Sequence, residues 1–235
     1  PISKMNTSPP SAIPELCITN CAASGIVIKY RVISRCVIVT GPLFSICFLN
    51  VGITDPDDPS KSTLISCLTG LDEPDGGAVT VAGFRLTRRP ESERARLRAE
   101  NFGILLQSGN LFQHLSVAQN IRFQMLLAGR LDEARLAFLI ASVGLAHRAD
   151  GLPSRLSGGE SARAGLAVAL AADPPILIAD EPTAEVDAET ENRLISHFDD
   201  RRRDGLTTLL ATHSQALAAR TDRVIHLKDG RLVDA

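Results

Sequence analysis

Three apolar runs constrain the fold more than any other feature of the chain: "PPILIAD" (174–180), "LTTLLAT" (206–212) and "RVIHLKDG" (223–230). Each is an apolar run that ends in polar residues, and each reads as a strand. A helix is predicted between the first two, at about 187–203. Upstream, residues 61–69 read as a helix closed by Gly70, a standard stop. "AVTVAG" (78–83) reads as a strand with a turn, "PESERARLRAE" (90–100) as a charged helix with proline at its start, and "FGILLQ" (102–107) as a buried strand. Helices are predicted at 117–129 and 131–144. Strands separated by helices imply an α/β fold with a mostly parallel sheet, whose ligands sit beyond the carboxyl ends of the strands.

The 235 residues are 44% hydrophobic and 22% charged, with a net charge of −2. That balance provides no field for gathering nucleic acid, which is not expected as a partner. Five cysteines without repeated spacing imply neither a disulfide framework nor zinc, and Cys17 and Cys21 lack a second ligand pair. Residues 1–54 hold only five charged side chains, Lys4, Glu15, Lys29, Arg31 and Arg35. Within them "CVIVTGPLFSICFLNVGIT" (36–54) runs nineteen residues without a charge. Gly41-Pro42 interrupts it and β-branched and aromatic residues fill it, so two short buried strands are expected rather than a membrane span.

Chemistry gathers at the strand ends. "PPILIADEPT" delivers Asp180 and Glu181 at the end of a core strand, where one carboxylate can hold Mg²⁺ and a second can polarise a water, or both can cap the next helix. In "LSGGE" (156–160), Ser157 is a good N-cap and Gly158-Gly159 allow close backbone approach at a helix N-terminus, a favourable place for an anion. His213, in "ATHS", follows a strand and is either structural or a phosphate contact.

Taken in order, Lys61-Ser62-Thr63, Gln107, "LSGGE", Asp180-Glu181, Asp187 in "AEVD" and His213 resemble the nucleotide-binding domain of ATP-binding-cassette (ABC) transporters over residues 61–235. The resemblance implies a P-loop NTPase-like sheet over residues 55–235, with a helical signature subdomain at about 108–165 and an atypical segment at 1–54. It implies ATP and Mg²⁺, with Lys61, Ser62 and Thr63 on the phosphates, Ser62 and Asp180 on the metal, and Glu181 as catalytic base. Gln107 becomes the glutamine sensing Mg²⁺ and the membrane partner, Asp187 the D-loop aspartate and His213 the switch histidine. Ser157, Gly158 and Gly159 become the signature that faces the γ-phosphate held by a second subunit. The partners implied are a membrane permease and a second ATP-binding subunit, on the cytoplasmic face of the cell membrane. "LTGLDEPDGGAVTVAGFRL", "GNLFQHLSVAQNI" and "MLLAGR" look like ATPases serving lipoprotein-release and macrolide-export permeases.

One stretch departs from that family. Its loop would read close to GPSGSGKST, and this chain has "DPDDPSKST" (55–63), with Asp55, Asp58 and Ser60 in place of all three glycines. Glycine accepts positive φ and lets backbone N–H groups wrap a phosphate, and Pro59 removes one such donor. Asp55, Asp57 and Asp58 add negative charge where a polyanion belongs, at about 1 kcal/mol per screened contact and several-fold more in a drier site. Summed, these terms imply at least a roughly hundredfold loss of ATP affinity. Tyr30 is the candidate for an aromatic stacking on adenine. The abrupt onset of resemblance near Lys61 leaves two accounts of residues 1–60, a shifted frame or foreign 5′ segment, and natural decay of a once competent domain.

Overall fold

The computed structural model describes residues 37–40, 45–48, 50–54, 60–75, 77–81, 84–184, 186–228 and 231–233. Cys17, Cys21, Tyr30 and the loop residues 55–59 lie outside them. The charge-free run carries three strands where two were expected, β1 (Val37–Thr40), β2 (Ser45–Phe48) and β3 (Asn50–Thr54). With only Gly41-Pro42 taken as a boundary, the stretch after it reads as one strand; the backbone uses it for two, in different sheets.

β1 and β2 pair antiparallel and join β4 (Ala78–Val81) and β5 (Phe84–Arg85) in a four-stranded sheet ordered β2-β1-β4-β5. The second sheet holds β3, β6 (Phe102–Leu105), β7 (Ile176–Asp180), β8 (Thr207–Ala211), β9 (Arg223–Lys228) and β10 (Arg231–Val233). Its order is β10-β9-β3-β8-β7-β6. Every pairing in it is parallel except that of the edge strand β10 with β9. The carboxyl ends of β3, β6, β7 and β8 therefore share one edge.

β7 is buried at all five positions. Leu177 and Ala179 pack into a core with α3 (Val117–Leu127), α4 (Glu133–Ser142) and α5 (Gly158–Ala169). Ile176 and Ile178 pack on the opposite face with Ile65, Leu68, Val79, Val81 and Phe102. Each such Ile or Leu contributes about 1.5–3 kcal/mol relative to exposure. The covered faces explain why the run does not alternate. Helices α1 (Ser60–Thr69), α2 (Glu91–Asn101), α6 (Ala188–Arg203) and α7 (Gln215–Ala218) are the other α-helices among the described residues. α1 stops at Gly70, whose φ of 67° is open to a residue without a side chain.

The link from α5 to β7 is held by arginines. Arg135 donates to the carbonyls of Leu170 and Ala171 and to the Asp173 carboxylate, and Arg130 to the carbonyl of Ala172. Arg201 of α6, only 6% exposed, donates to the Pro174 carbonyl, and burial lowers its pKa to about 10. Gly103 of β6 lies against the same link: a Cβ there would meet the Ala169 carbonyl oxygen at 2.2 Å. Gly103→Ala should lower stability by about 1–3 kcal/mol, through overpacking against backbone that cannot move aside. Urea denaturation with the slope unchanged is the measurement.

Candidate active site

Five of the singled-out residues meet at the carboxyl edge of the parallel sheet. β7 ends at Asp180, and Glu181 follows with φ 46°, its N–H donated to the Ala211 carbonyl at the end of β8 (2.8 Å). Lys61 and Ser62 lie in the first turn of α1. Ser62 Oγ donates to Asp180 Oδ2 (2.8 Å), and Lys61 Nζ donates to Glu181 Oε1 (2.8 Å). His213 lies just beyond β8, with Nδ1 2.8 Å from Glu181 Oε2 and its backbone N–H donated to the same oxygen (3.3 Å). The neighbouring Thr212 N–H donates to the Ile53 carbonyl, tying the end of β8 to β3 (2.9 Å). Thr63 is exposed one residue further along α1.

The acids are scarcely accessible. Asp180 is 7% exposed and the Glu181 side chain 12%. A charge so placed needs partners. Burial pushes the Glu181 carboxyl up, but the bonds from Lys61 and His213 outweigh it and hold the pKa below the ordinary 4.5. Glu181 is therefore ionised at neutral pH.

Ser157, Gly159 and Asp187 form a second cluster. Ser157 caps α5 in a reciprocal box with Glu160: the Glu160 N–H donates to Ser157 Oγ (3.2 Å) and the Ser157 N–H to Glu160 Oε2 (2.9 Å). The Ser157 backbone bond, with help from Arg148, holds the Glu160 pKa down to about 2. Asp187 caps α6, accepting from Thr190 N–H (2.9 Å) and Thr190 Oγ1 (3.0 Å); the first of these holds its carboxyl below the usual range. Arg163 of α5 donates to Thr190 Oγ1 (2.6 Å). A Cβ on Gly159 would meet Thr190 Oγ1 at 2.9 Å and Asp187 Oδ2 at 3.0 Å, so glycine lets the two helix starts close on each other.

Gln107, exposed in the loop after β6, and Gly158, at the start of α5, line one cleft with Glu181. The named residues thus fall into two groups, one around Asp180 and Glu181 and one around the starts of α5 and α6, with that cleft adjoining both. Sequence reasoning took Glu160 only as the end of "LSGGE" and passed over Arg163 and Thr190. Serine and glutamate three apart in "SGGE" carry a legible capping signal for Glu160, whereas Arg163 and Thr190 meet only through tertiary packing.

Ser62 Oγ and Asp180 Oδ2 are adjacent hard oxygen donors, a set that suits Mg²⁺. The lowered Glu181 pKa gives a stabilisation that is complete above the ordinary value and lost as pH falls through the folded one. Lys61→Met removes a bond that favours the ionised form while burial remains. It should raise the Glu181 pKa, as read from carboxyl-carbon NMR titration.

The comparisons agree with this geometry. A family model described as ABC transporter matches residues 60–184. An ABC transporter ATP-binding protein of Mycobacterium tuberculosis is 36% identical over 79% of this chain and 76% of its own length. The lipoprotein-releasing system ATP-binding protein LolD 1 of Rhodospirillum rubrum is 37% identical over 79% and 84%. The macrolide export ATP-binding/permease protein MacB of Rhodopseudomonas palustris is 37% identical over 78% of this chain, which spans 28% of that longer protein. Among solved structures, the ABC cassette MJ0796, as a dimer bound to ADP and Pi, superposes with a TM-score of 0.78 at 25% identity over 83% of this chain. The fold is that of these cassettes, and the chain belongs to the ABC transporter ATP-binding family, a family of ATPases.

Proposed function

We propose that this chain is the ATP-binding subunit of a transporter that hydrolyses ATP as a dimer and drives a membrane permease. The observation that carries the reading is the meeting of Lys61, Ser62, Asp180, Glu181 and His213 at one strand edge. In this reading residues 55–235 are the ATPase domain, about 108–165 its helical subdomain, and 1–54 an atypical leading segment. The Lys61 ammonium, a compact cation, holds the terminal phosphates of ATP, with Ser62 and Thr63 beside it. Ser62, Asp180 and Gln107 are the residues that would hold Mg²⁺, which when bound neutralises developing phosphoryl charge. Glu181, ionised and braced by His213, accepts the proton of the attacking water. Because Lys61 also touches Glu181, a phosphate that draws Lys61 away frees the carboxylate for that role.

Ser157, Gly158, Gly159 and Asp187 serve the second subunit's nucleotide across the dimer, in line with the dimeric MJ0796 cassette. The permease reading draws on the relatives named LolD and MacB. No helix among the described residues is long and apolar enough to cross a membrane. In this reading the subunit sits peripherally beside the permease, on the cytoplasmic face. Exposed Phe112, Leu126, Leu127 and Phe138, in and around α3 and α4, offer the permease an apolar surface.

The loop favours a second reading. With Asp55, Asp57 and Asp58 where phosphates belong, the chain serves as an impaired partner in a heterodimer, presenting its signature to a competent mate. Turnover by the purified chain alone separates the two readings. Changing Asp55, Asp58 and Ser60 together to glycine should tighten MgATP binding at least roughly hundredfold in calorimetry. Micromolar binding by the unaltered chain would overturn the argument from charge and glycine. In the glycine background, Glu181→Gln should cut turnover roughly a hundredfold to ten-thousandfold while leaving ATP binding in place.

A further inference from the structure

The loop that carries Gln107 has no ladder of its own, yet one side chain closes it. The Asn110 amide makes two bonds to a single residue: Leu106 N–H donates to Asn110 Oδ1 (2.8 Å), and Asn110 Nδ2 donates to the Leu106 carbonyl (2.6 Å). The side-chain amide thus pairs with the Leu106 backbone as an adjacent strand would, and Gln107, Ser108 and Gly109 form the arc it closes. Gly109 has φ 77°, so the arc turns at a residue without a side chain.

The closed arc is also seated on the signature helix. Gly165, buried in α5, faces Asn110: a Cβ there would lie 3.0 Å from Asn110 Cβ, 3.2 Å from Leu105 Cδ1 and 3.3 Å from Asn110 Cγ. Only a glycine lets the amide lie so close to the helix. Gln107, Asn110 and Glu181 line one cleft, with Gly158 at the start of the same helix.

We infer that Asn110 is the positioning residue for Gln107, closing its loop and, through the gap at Gly165, fixing that loop to α5. Gln107 and the "LSGGE" turn then keep one spacing, set by an amide and a missing methyl group. The inference rests on the reading of Gln107 as a residue of the ATPase site.

Two arms test it in the full chain. In hydrogen exchange, Asn110→Ala should speed exchange of the Leu106 amide roughly five- to tenfold, with amides of α6 unchanged. Asn110→Asp keeps the acceptor and loses the donor, so it should fall between, and it carries the comparison where the alanine variant does not fold. In the chain with glycine at 55, 58 and 60, Asn110→Ala should lower kcat more than it raises KM for MgATP. Combined with Gln107→Ala it should add little, since both act through one side chain. Unchanged exchange at Leu106 overturns the clamp, and additive effects on turnover overturn its action through Gln107. Turnover absent in that background, or unmoved by Gln107→Ala, removes the Gln107 reading and the inference with it. Faster exchange in that case marks the failure as one of the reading rather than of the clamp.

Discussion

Everything in this molecule is arranged around a strand that has no wet side. β7 is covered on both faces, by the cores on either side of the parallel sheet, and no charge can lie along it. Its polar residues can leave only at the carboxyl end, and parallel pairing with β6 and β8 places the ends of its neighbours there too. Asp180 and Glu181, Gln107 after β6 and His213 after β8 are brought near one edge by the same hydrophobic requirement that builds the sheet.

Burial then creates an electrostatic demand. Two adjacent carboxylates in a nearly closed position are costly unless compensated, and the compensation comes from α1, through Lys61 on Glu181 and Ser62 on Asp180, with His213 on the far oxygen of Glu181. The groups that make the acids tolerable are also those chemically suited to a phosphate and a cation. Residues 55–59, just before α1, break this agreement, with aspartates ahead of a site otherwise furnished for an anion.

Much of this could be read in the chain, for identifiable reasons. Apolar runs ending in polar residues are strong signals for strands of such a sheet, and β6, β7, β8 and β9 each fall within the stretch read for them. Pro90 and Gly70 mark helix ends through their own backbone limits, and α2 and α1 obey them. The unread parts lacked local cause. The run at 36–54 has no charge to divide it and only Gly41-Pro42 as a visible break, so a third strand stayed hidden, and β5 and β10 are too short to carry a period. The φ of 46° at Glu181, the bond from Arg163 to Thr190 and the two bonds of Asn110 arise from packing between distant segments or within an irregular loop. No window of sequence contains them.

α5 meets compensating charge at both of its ends. A helix carries partial positive charge at its N-terminus and partial negative charge at its C-terminus, and at a distance the two largely cancel. Here Arg130, Arg135 and Arg201 bond carbonyls of the link just beyond the helix, Leu170 to Ala172 and Pro174, with the Asp173 carboxylate among them. These cations sit against the negative pole, while at the other end the ionised Glu160 carboxylate, bonded to the Ser157 N–H, sits against the positive one. Each pole of α5 thus faces charge of opposite sign, so the field an approaching anion meets is set by those side chains as much as by the helix itself.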